Sequence, residues 1–345
     1  STGVSHPYSP RAQATAIHTL SAADAARLFE DFDKLEASNM YMYQPWVGFS
    51  ETTFHSRFLN IDEGEPLPIR RTVETQDAPA NRTIWLFGGS TQFGWGVPDD
   101  QTIASQLSAI LSQGPTHYRV VNYGHTQFYS SQEAVLFASL LRHGHKCDIA
   151  VFLDGLNDAL TSPEDVPTLT GVTATAFLKE QEDVAAENSR YVIIAPSFPP
   201  LRVLNGLLRR LARNVTSEAT PKAEQLAGTK YDPVAIYRFN MSMIQRTGKA
   251  EHVRVLFDWQ PTPFDYMAGA EQRRTAFPYP AAKNIPSLNA AIRQEIKNSD
   301  FHFIADMFQG EAYQDIYVDL GHYGDKGNSM LAKMIADQLK NDGFH

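Results

Sequence analysis

Hydrophobic positions along this chain change their spacing more than once, and each change predicts a different element. Residues 1–20 are mostly polar and predict no regular structure, as is common at chain ends. From Ser21 onward, Leu28, Phe29, Phe32 and Leu35 recur at intervals of three and four, the spacing of one buried helix face, over residues 21–37. Ser21, followed by Asp24 three places on, predicts the helix start. Residues 41–62, "YMYQPWVGFSETTFHSRFLNID", are aromatic-rich and broken by Pro45 and Gly48, which predicts short strands or a clamp packed on a larger body. Residues 63–81 are charged and contain proline, and predict a linker or surface loop.

From Arg82 the pattern becomes regular. Short apolar runs at 83–88, 118–124, 147–155 and 251–260 predict buried strands. Segments 99–114, 130–144 and 325–341 carry helical periodicity. Asp99 or Asp100 is the expected cap of the first and Gly114 its stop, and Ser130 or Ser131 is the expected cap of the second. Strands alternating with helices imply βαβ units, hence a parallel sheet covered on both faces. Residues 160–250 read as mainly helical and are too long for one crossover, so they predict an insertion; within it "YVIIAPSF" at 191–198 fits a strand or an active-site flap. The organisation expected is an N-terminal extension over 1–81 and an α/β domain over 82–345.

Composition narrows the function classes. A net charge of −9 with no long basic run argues against nucleic acid as the main partner. One cysteine, Cys147, excludes an intrachain disulfide. No run of 18 apolar residues is present. The start "STGVSHPYSP" lacks an initiator Met and fits a trimmed or processed chain.

In open α/β sheets ligands gather at the carboxyl ends of the strands. The first strand runs into Gly88-Gly89-Ser90, the second ends at Asn122-Tyr123-Gly124, the third at Gly155-Leu156-Asn157-Asp158, and Asp319-Leu320-Gly321-His322 precedes the last helix. A serine hydroxyl becomes a nucleophile when an imidazole takes its proton, and the imidazole needs an acceptor on its other nitrogen. Ser90, His322 and Asp319 are therefore the candidate nucleophile, base and orienting acid. The Ser90 N–H, the Gly124 N–H and the Asn157 side-chain amide are the candidate donors to an oxyanion. Asp158 reads as a cap or loop support. Trp95, Phe128, Tyr129 and Trp259 could line a sugar cleft or fill the core. In "RHGHKC" at 142–147, histidine and lysine suit a helix C-terminus that Gly144 ends.

These four blocks, in this order, resemble the SGNH hydrolases, also called GDSL-type esterases and lipases, over roughly residues 82–341. Ser90, Gly124, Asn157 and His322 match the four residues that name the family, "GLND" at 155–158 matches its Gly-x-Asn-Asp block, and "DLGH" at 319–322 its Asp-x-x-His block. The first block departs from Gly-Asp-Ser: Gly89 stands where the family has an aspartate that supports the nucleophile loop. The resemblance implies a three-layer α/β/α flavodoxin-like fold and acyl transfer through an acyl-serine with no metal or organic cofactor. The variant block looks like a bacterial branch that modifies surface polysaccharide or lipid, which implies an extracytoplasmic site of action and an N-terminal membrane anchor preceding residue 1. The expected partner is a small-molecule or glycan ester, with acetyl as the acyl group. An O-acyltransferase using the same triad and a non-catalytic carbohydrate-binding module are the alternatives; the intact Ser, His and Asp set argues against the latter.

Overall fold

A computed structural model describes residues 16–38, 40–74, 80–160, 232–277 and 280–343. The chain divides into two compact units, residues 1–160 with 233–345, and residues 161–232. The second unit, together with the expected strand or flap at 191–198, lies outside the described residues apart from Asp232.

The strands are β1 Tyr41–Gln44, β2 Gly48–Glu51, β3 Phe54–His55, β4 Asn60–Asp62, β5 Ile69–Arg70, β6 Arg82–Gly88, β7 Tyr118–Gly124, β8 Ile149–Asp154, β9 Arg254–Trp259 and β10 Phe301–Phe303. The helices are α1 Ala22–Ala37, α2 Ser90–Phe93, α3 Ile103–Leu111, α4 Ser130–Arg142, α5 Leu156–Leu160, α6 Pro233–Ala250, α7 Ala270–Ala276, α8 Ile285–Glu295, α9 Tyr313–Ile316 and α10 Asp325–Asn341. Strands β1 and β2 pair as an antiparallel hairpin, and the others form one sheet in the order β10-β9-β8-β6-β7-β5-β4-β3. Strands β6 to β10 run parallel, whereas β5, β4 and β3 continue the sheet antiparallel beside β7.

The parallel strands are apolar on both faces because both are covered. Ile84 and Leu86 of β6 pack with Ile149, Val151 and Leu153 of β8 under α3 and α10. The alternate residues Trp85, Phe87, Ala150 and Phe152 face the layer formed by α4, α6 and α8. The result is three layers, α/β/α. The chain goes from β6 to β7 on one side and then crosses to β8 on the other, so β6 lies at a topological switch point, where a crevice opens at the strand ends.

Helix α1 starts as its sequence predicts, with the Ser21 hydroxyl accepting the Asp24 N–H. Three expectations are corrected. Part of the stretch read as a linker is sheet: β5 pairs with β4 and β7, and Arg70 is buried beside Asp99 at 3.1 Å. A two-residue strand is too short to show periodicity. Helix α3 begins at Ile103 with Thr102 as its cap, because Asp99 is drawn into bonds with the Asn60 backbone and amide. Helix α6 belongs to the main unit, so the insertion ends near residue 232 instead of 250.

Candidate active site

Strand β6 delivers Ser90 to the switch point. Gly89 precedes the one-turn helix α2, whose first residue is Ser90. The turn closes at once: Gly94, at φ 87°, and Trp95 both donate their N–H to the Ser90 carbonyl, at 3.1 and 3.0 Å. Gly124, at the end of β7, passes directly beneath this turn. A Cβ there would collide with the Phe93 nitrogen and the Gln92 carbonyl carbon, both backbone atoms that cannot swing away. The Gly124 N–H donates to Asn122 Oδ1 at 3.0 Å. Gly124 therefore leaves room for the Ser90 turn, and its N–H, the oxyanion donor read from sequence, bonds to Asn122 Oδ1 in this structure.

His322 arrives from the opposite side of the fold. Tyr317 and Tyr323 form an antiparallel bridge, and the Val318 N–H donates to the His322 carbonyl, so residues 318–322 make a tight closed loop. Within it Asp319 Oδ1 accepts the N–H groups of Gly321 and His322, each at 2.8 Å. Asp319 Oδ2 meets His322 Nδ1 at 2.7 Å, and His322 Nε2 meets Ser90 Oγ at 2.8 Å. A carboxylate only accepts, so Nδ1 carries the proton and Nε2 keeps its lone pair for the serine hydroxyl. Burial by itself would raise the Asp319 carboxyl, but the His322 ring and the two backbone donors outweigh it and hold the group below the usual range. The ring of Trp95 stands 6.1 Å from that of His322.

Asn157, the second residue of α5, turns its amide to the other side of the nucleophile. Nδ2 donates to the Phe128 carbonyl at 2.7 Å. It also lies against Gly89: a Cβ built there would fall on Asn157 Nδ2, well inside contact distance, and 3.0 Å from the Phe128 oxygen. A side chain at residue 89 would have to displace the Asn157 amide. The neighbouring Asp158 takes the Ser130 hydroxyl at 2.5 Å and the Ser130 N–H at 3.3 Å, serving the start of α4. Behind it a buried group of acids assembles. Burial, then the nearby Asp158 charge, pushes Asp154 up to about 8, and burial followed by Asp154 raises Glu133 well above the carboxylate range.

Two connections were not visible in the sequence. Gln260, following β9, accepts the Thr91 hydroxyl at 2.8 Å and the Tyr323 hydroxyl at 3.0 Å, so one amide oxygen ties the neighbours of Ser90 and His322. Glu51, from the hairpin, binds the loop His125–Phe128. Nothing in their local spacing marks either residue. Of the four aromatics considered for a sugar cleft, Phe128 and Trp259 are 1 % exposed and Trp95 8 %, which places them in the core.

No family model matches the chain, and no curated protein matches its sequence. Solved structures do. Est24, a carbohydrate acetylesterase from Sinorhizobium meliloti, is 14 % identical over 76 % of this chain and 99 % of its own, with a TM-score of 0.40. TesA is 14 % identical over 75 % of this chain and 99 % of its own, with a TM-score of 0.42. An acetyl xylan esterase, AlAXEase, is 12 % identical over 74 % of this chain and 99 % of its own, with a TM-score of 0.39. In this chain three of the four blocks stand at the ends of β6, β7 and β8, and the fourth, Asp319–His322, lies in the loop before α10. The site's chemistry is read from the side chains themselves.

Proposed function

We propose that this protein hydrolyses carboxylic esters of short acyl groups, acetyl above all, carried on a carbohydrate. One observation carries the reading: the unbroken relay from Asp319 through His322 to Ser90, with contacts of 2.7 and 2.8 Å. In this reading Ser90 Oγ attacks the ester carbonyl while His322 Nε2 takes its proton. Asp319 stabilises the imidazolium that forms. The Ser90 N–H, at the start of α2, and the Asn157 amide receive the oxyanion. His322 then protonates the departing alkoxide, and water repeats the sequence on the acyl-serine to release the acid and regenerate Ser90. Acetyl and carbohydrate come from the resemblance to surface-modifying enzymes, and such a substrate would place the protein outside the cytoplasm. Among the described residues no helix is long and apolar enough to cross a membrane.

The test is turnover of acetyl, butyryl and decanoyl nitrophenyl esters by the native chain and by Ser90→Ala. The acetyl ester should be the best substrate, and Ser90→Ala should lose roughly 10³-fold or more. Near-native turnover by folded Ser90→Ala would remove the triad reading, and a kcat/KM rising steadily to decanoyl would replace the acetylesterase with a lipase. Acetylated glycan formed in place of free acetate, on adding a glycan acceptor, would convert the assignment to an acyltransferase.

A further inference from the structure

The hairpin β1–β2 carries a carboxylate into the interior behind the site. Glu51 is 1 % exposed, and its bonds go to one short loop. Oε1 accepts the Thr126 N–H at 2.6 Å and the Thr126 hydroxyl at 2.5 Å. Oε2 meets His125 Nδ1 at 2.7 Å. Since the Thr126 hydroxyl donates to Glu51, the Tyr41 hydroxyl of the same hairpin donates to Thr126 Oγ1, at 2.8 Å. A buried carboxylate is costly unless its oxygens are satisfied, and here two consecutive loop residues satisfy it.

That loop reaches the nucleophile in two ways. The His125 N–H donates to the Gly88 carbonyl at 3.0 Å, two residues before Ser90. The Phe128 carbonyl accepts the Asn157 amide at 2.7 Å. Between them Gln127 stands at φ 63°, in the left-handed region, although it carries a side chain. Such a conformation persists where the surroundings over-determine it. Glu51 and Tyr41 hold the residue before it, and Asn157 holds the residue after it.

We propose that Glu51 is a positioning residue for ester hydrolysis: by clamping His125 and Thr126 it fixes the Phe128 carbonyl, which in turn aims the Asn157 amide at the oxyanion. The inference rests on the serine-hydrolase reading above. It gives the N-terminal hairpin a part in the chemistry that no contact with substrate requires.

Steady-state kinetics on nitrophenyl acetate, with thermal unfolding as the fold control, tests it. Glu51→Ala should lower kcat roughly 10- to 100-fold with KM little changed, because a donor misplaced by about 1 Å loses transition-state contact first. Glu51→Gln keeps an oxygen for Thr126 and should recover most of the loss. In an Asn157→Ala background, Glu51→Ala should cost nothing further, since its effect runs through that amide. Native kcat in folded Glu51→Ala, or the same loss in both backgrounds, overturns the inference. Should Glu51→Ala fail to fold, Thr126→Val decides: it removes the hydroxyl shared with Glu51 and Tyr41, and its loss in kcat must again vanish in the Asn157→Ala background. A fully active Ser90→Ala would sink the hydrolase reading and this inference with it, whereas an inactive Ser90→Ala beside a fully active Glu51→Ala sinks the inference alone.

Discussion

Replacing Gly89 by alanine adds one methyl group between the nucleophile turn and the Asn157 amide. The backbone itself permits it: Gly89 has φ −79° and ψ −154°, an extended conformation open to any L-residue. The cost is steric. The new Cβ would fall on Asn157 Nδ2, the mobile end of a side chain, and 3.0 Å from the Phe128 carbonyl oxygen, a backbone atom. Asn157 must withdraw by roughly 1 Å to restore van der Waals distance. It then forfeits its bond to Phe128, worth about 0.5–1.5 kcal/mol, while the loss of glycine's unfolded-state freedom returns about 0.4–1 kcal/mol. Stability should therefore change by no more than about 1.5 kcal/mol. Catalysis should suffer more, because losing one oxyanion donor costs about 2.7–4 kcal/mol, or roughly 10²- to 10³-fold in kcat.

That disparity between a small loss of stability and a large loss of rate is what the experiment reads. Thermal unfolding and steady-state kinetics on nitrophenyl acetate are measured for Gly89→Ala, Asn157→Ala and the double variant. If the methyl acts by displacing the amide, the double variant should resemble Asn157→Ala alone, apart from a small residue for the Phe128 oxygen. A folded Gly89→Ala with kcat within about threefold of the native value would refute the steric account, and so would fully additive losses.

Asn157→Ala should lower kcat by roughly 10²- to 10³-fold with a small effect on KM, since an oxyanion donor contributes little in the ground state; a pure KM effect would assign Asn157 to substrate binding. Asp319→Asn keeps the shape of the loop but presents a donor or a weaker acceptor to His322 Nδ1, so kcat should fall by about 10³- to 10⁴-fold with the fold retained, and a loss under about tenfold would show that His322 is oriented by other means. Burial, then the Asp158 charge, pushes Asp154 up to about 8 in the folded chain, against about 3.9 unfolded. The folded state therefore holds the extra proton between those values, and stability falls as pH rises through that window and levels off above it. Asp154→Asn removes the titration, so its unfolding temperature should gain on the native protein's between about pH 5 and pH 8; a gap that stays constant with pH would show that the carboxyl is already ionised at the lower value.

The elements that build the parallel sheet were legible because burial on both faces leaves continuous apolar runs. Ile84–Phe87 and Ile149–Leu153 have no polar residue, and the strands Arg82–Gly88 and Ile149–Asp154 fall on the runs that predicted them. Ser90 was legible as a candidate for a related reason, since a strand end at a switch point is where polar residues interrupt such a run, whereas Asp319 and His322 were legible from their spacing of three ahead of the last helix. What escaped were pairings decided by distant neighbours. The strand Ile69–Arg70 exists because β7 offers it an edge, and Phe301–Phe303 because β9 does. The cap of α3 moved from Asp99 to Thr102 because Asn60, 39 residues earlier, takes the aspartate. The bond from the Gly124 N–H to Asn122, two residues before it, was equally hidden, because a side chain's rotamer has no signature in spacing.

The turn that carries Ser90 is held by side chains from distant parts of the chain. Residue 89 has no side chain to brace the turn, although its carbonyl accepts the Phe93 N–H at 2.9 Å, and the side-chain bonds come from elsewhere. Gln260 holds Thr91 from the strand beyond β8 and reaches Tyr323 beside His322. The Asn157 amide occupies the space a side chain at 89 would fill and bonds to Phe128. Phe128 belongs to a loop held by Glu51 and Tyr41, both from the hairpin ahead of the main α/β region. The bonds around Ser90 thus draw on residues from 41 to 323. A chain starting at residue 82 would keep Ser90, Asn157, Asp319 and His322 yet lose Glu51 and Tyr41, together with β3, β4 and β5 along the open edge of β7. The hairpin β1–β2 and the strands β3 to β5 are for that reason built into the same fold as the α/β region.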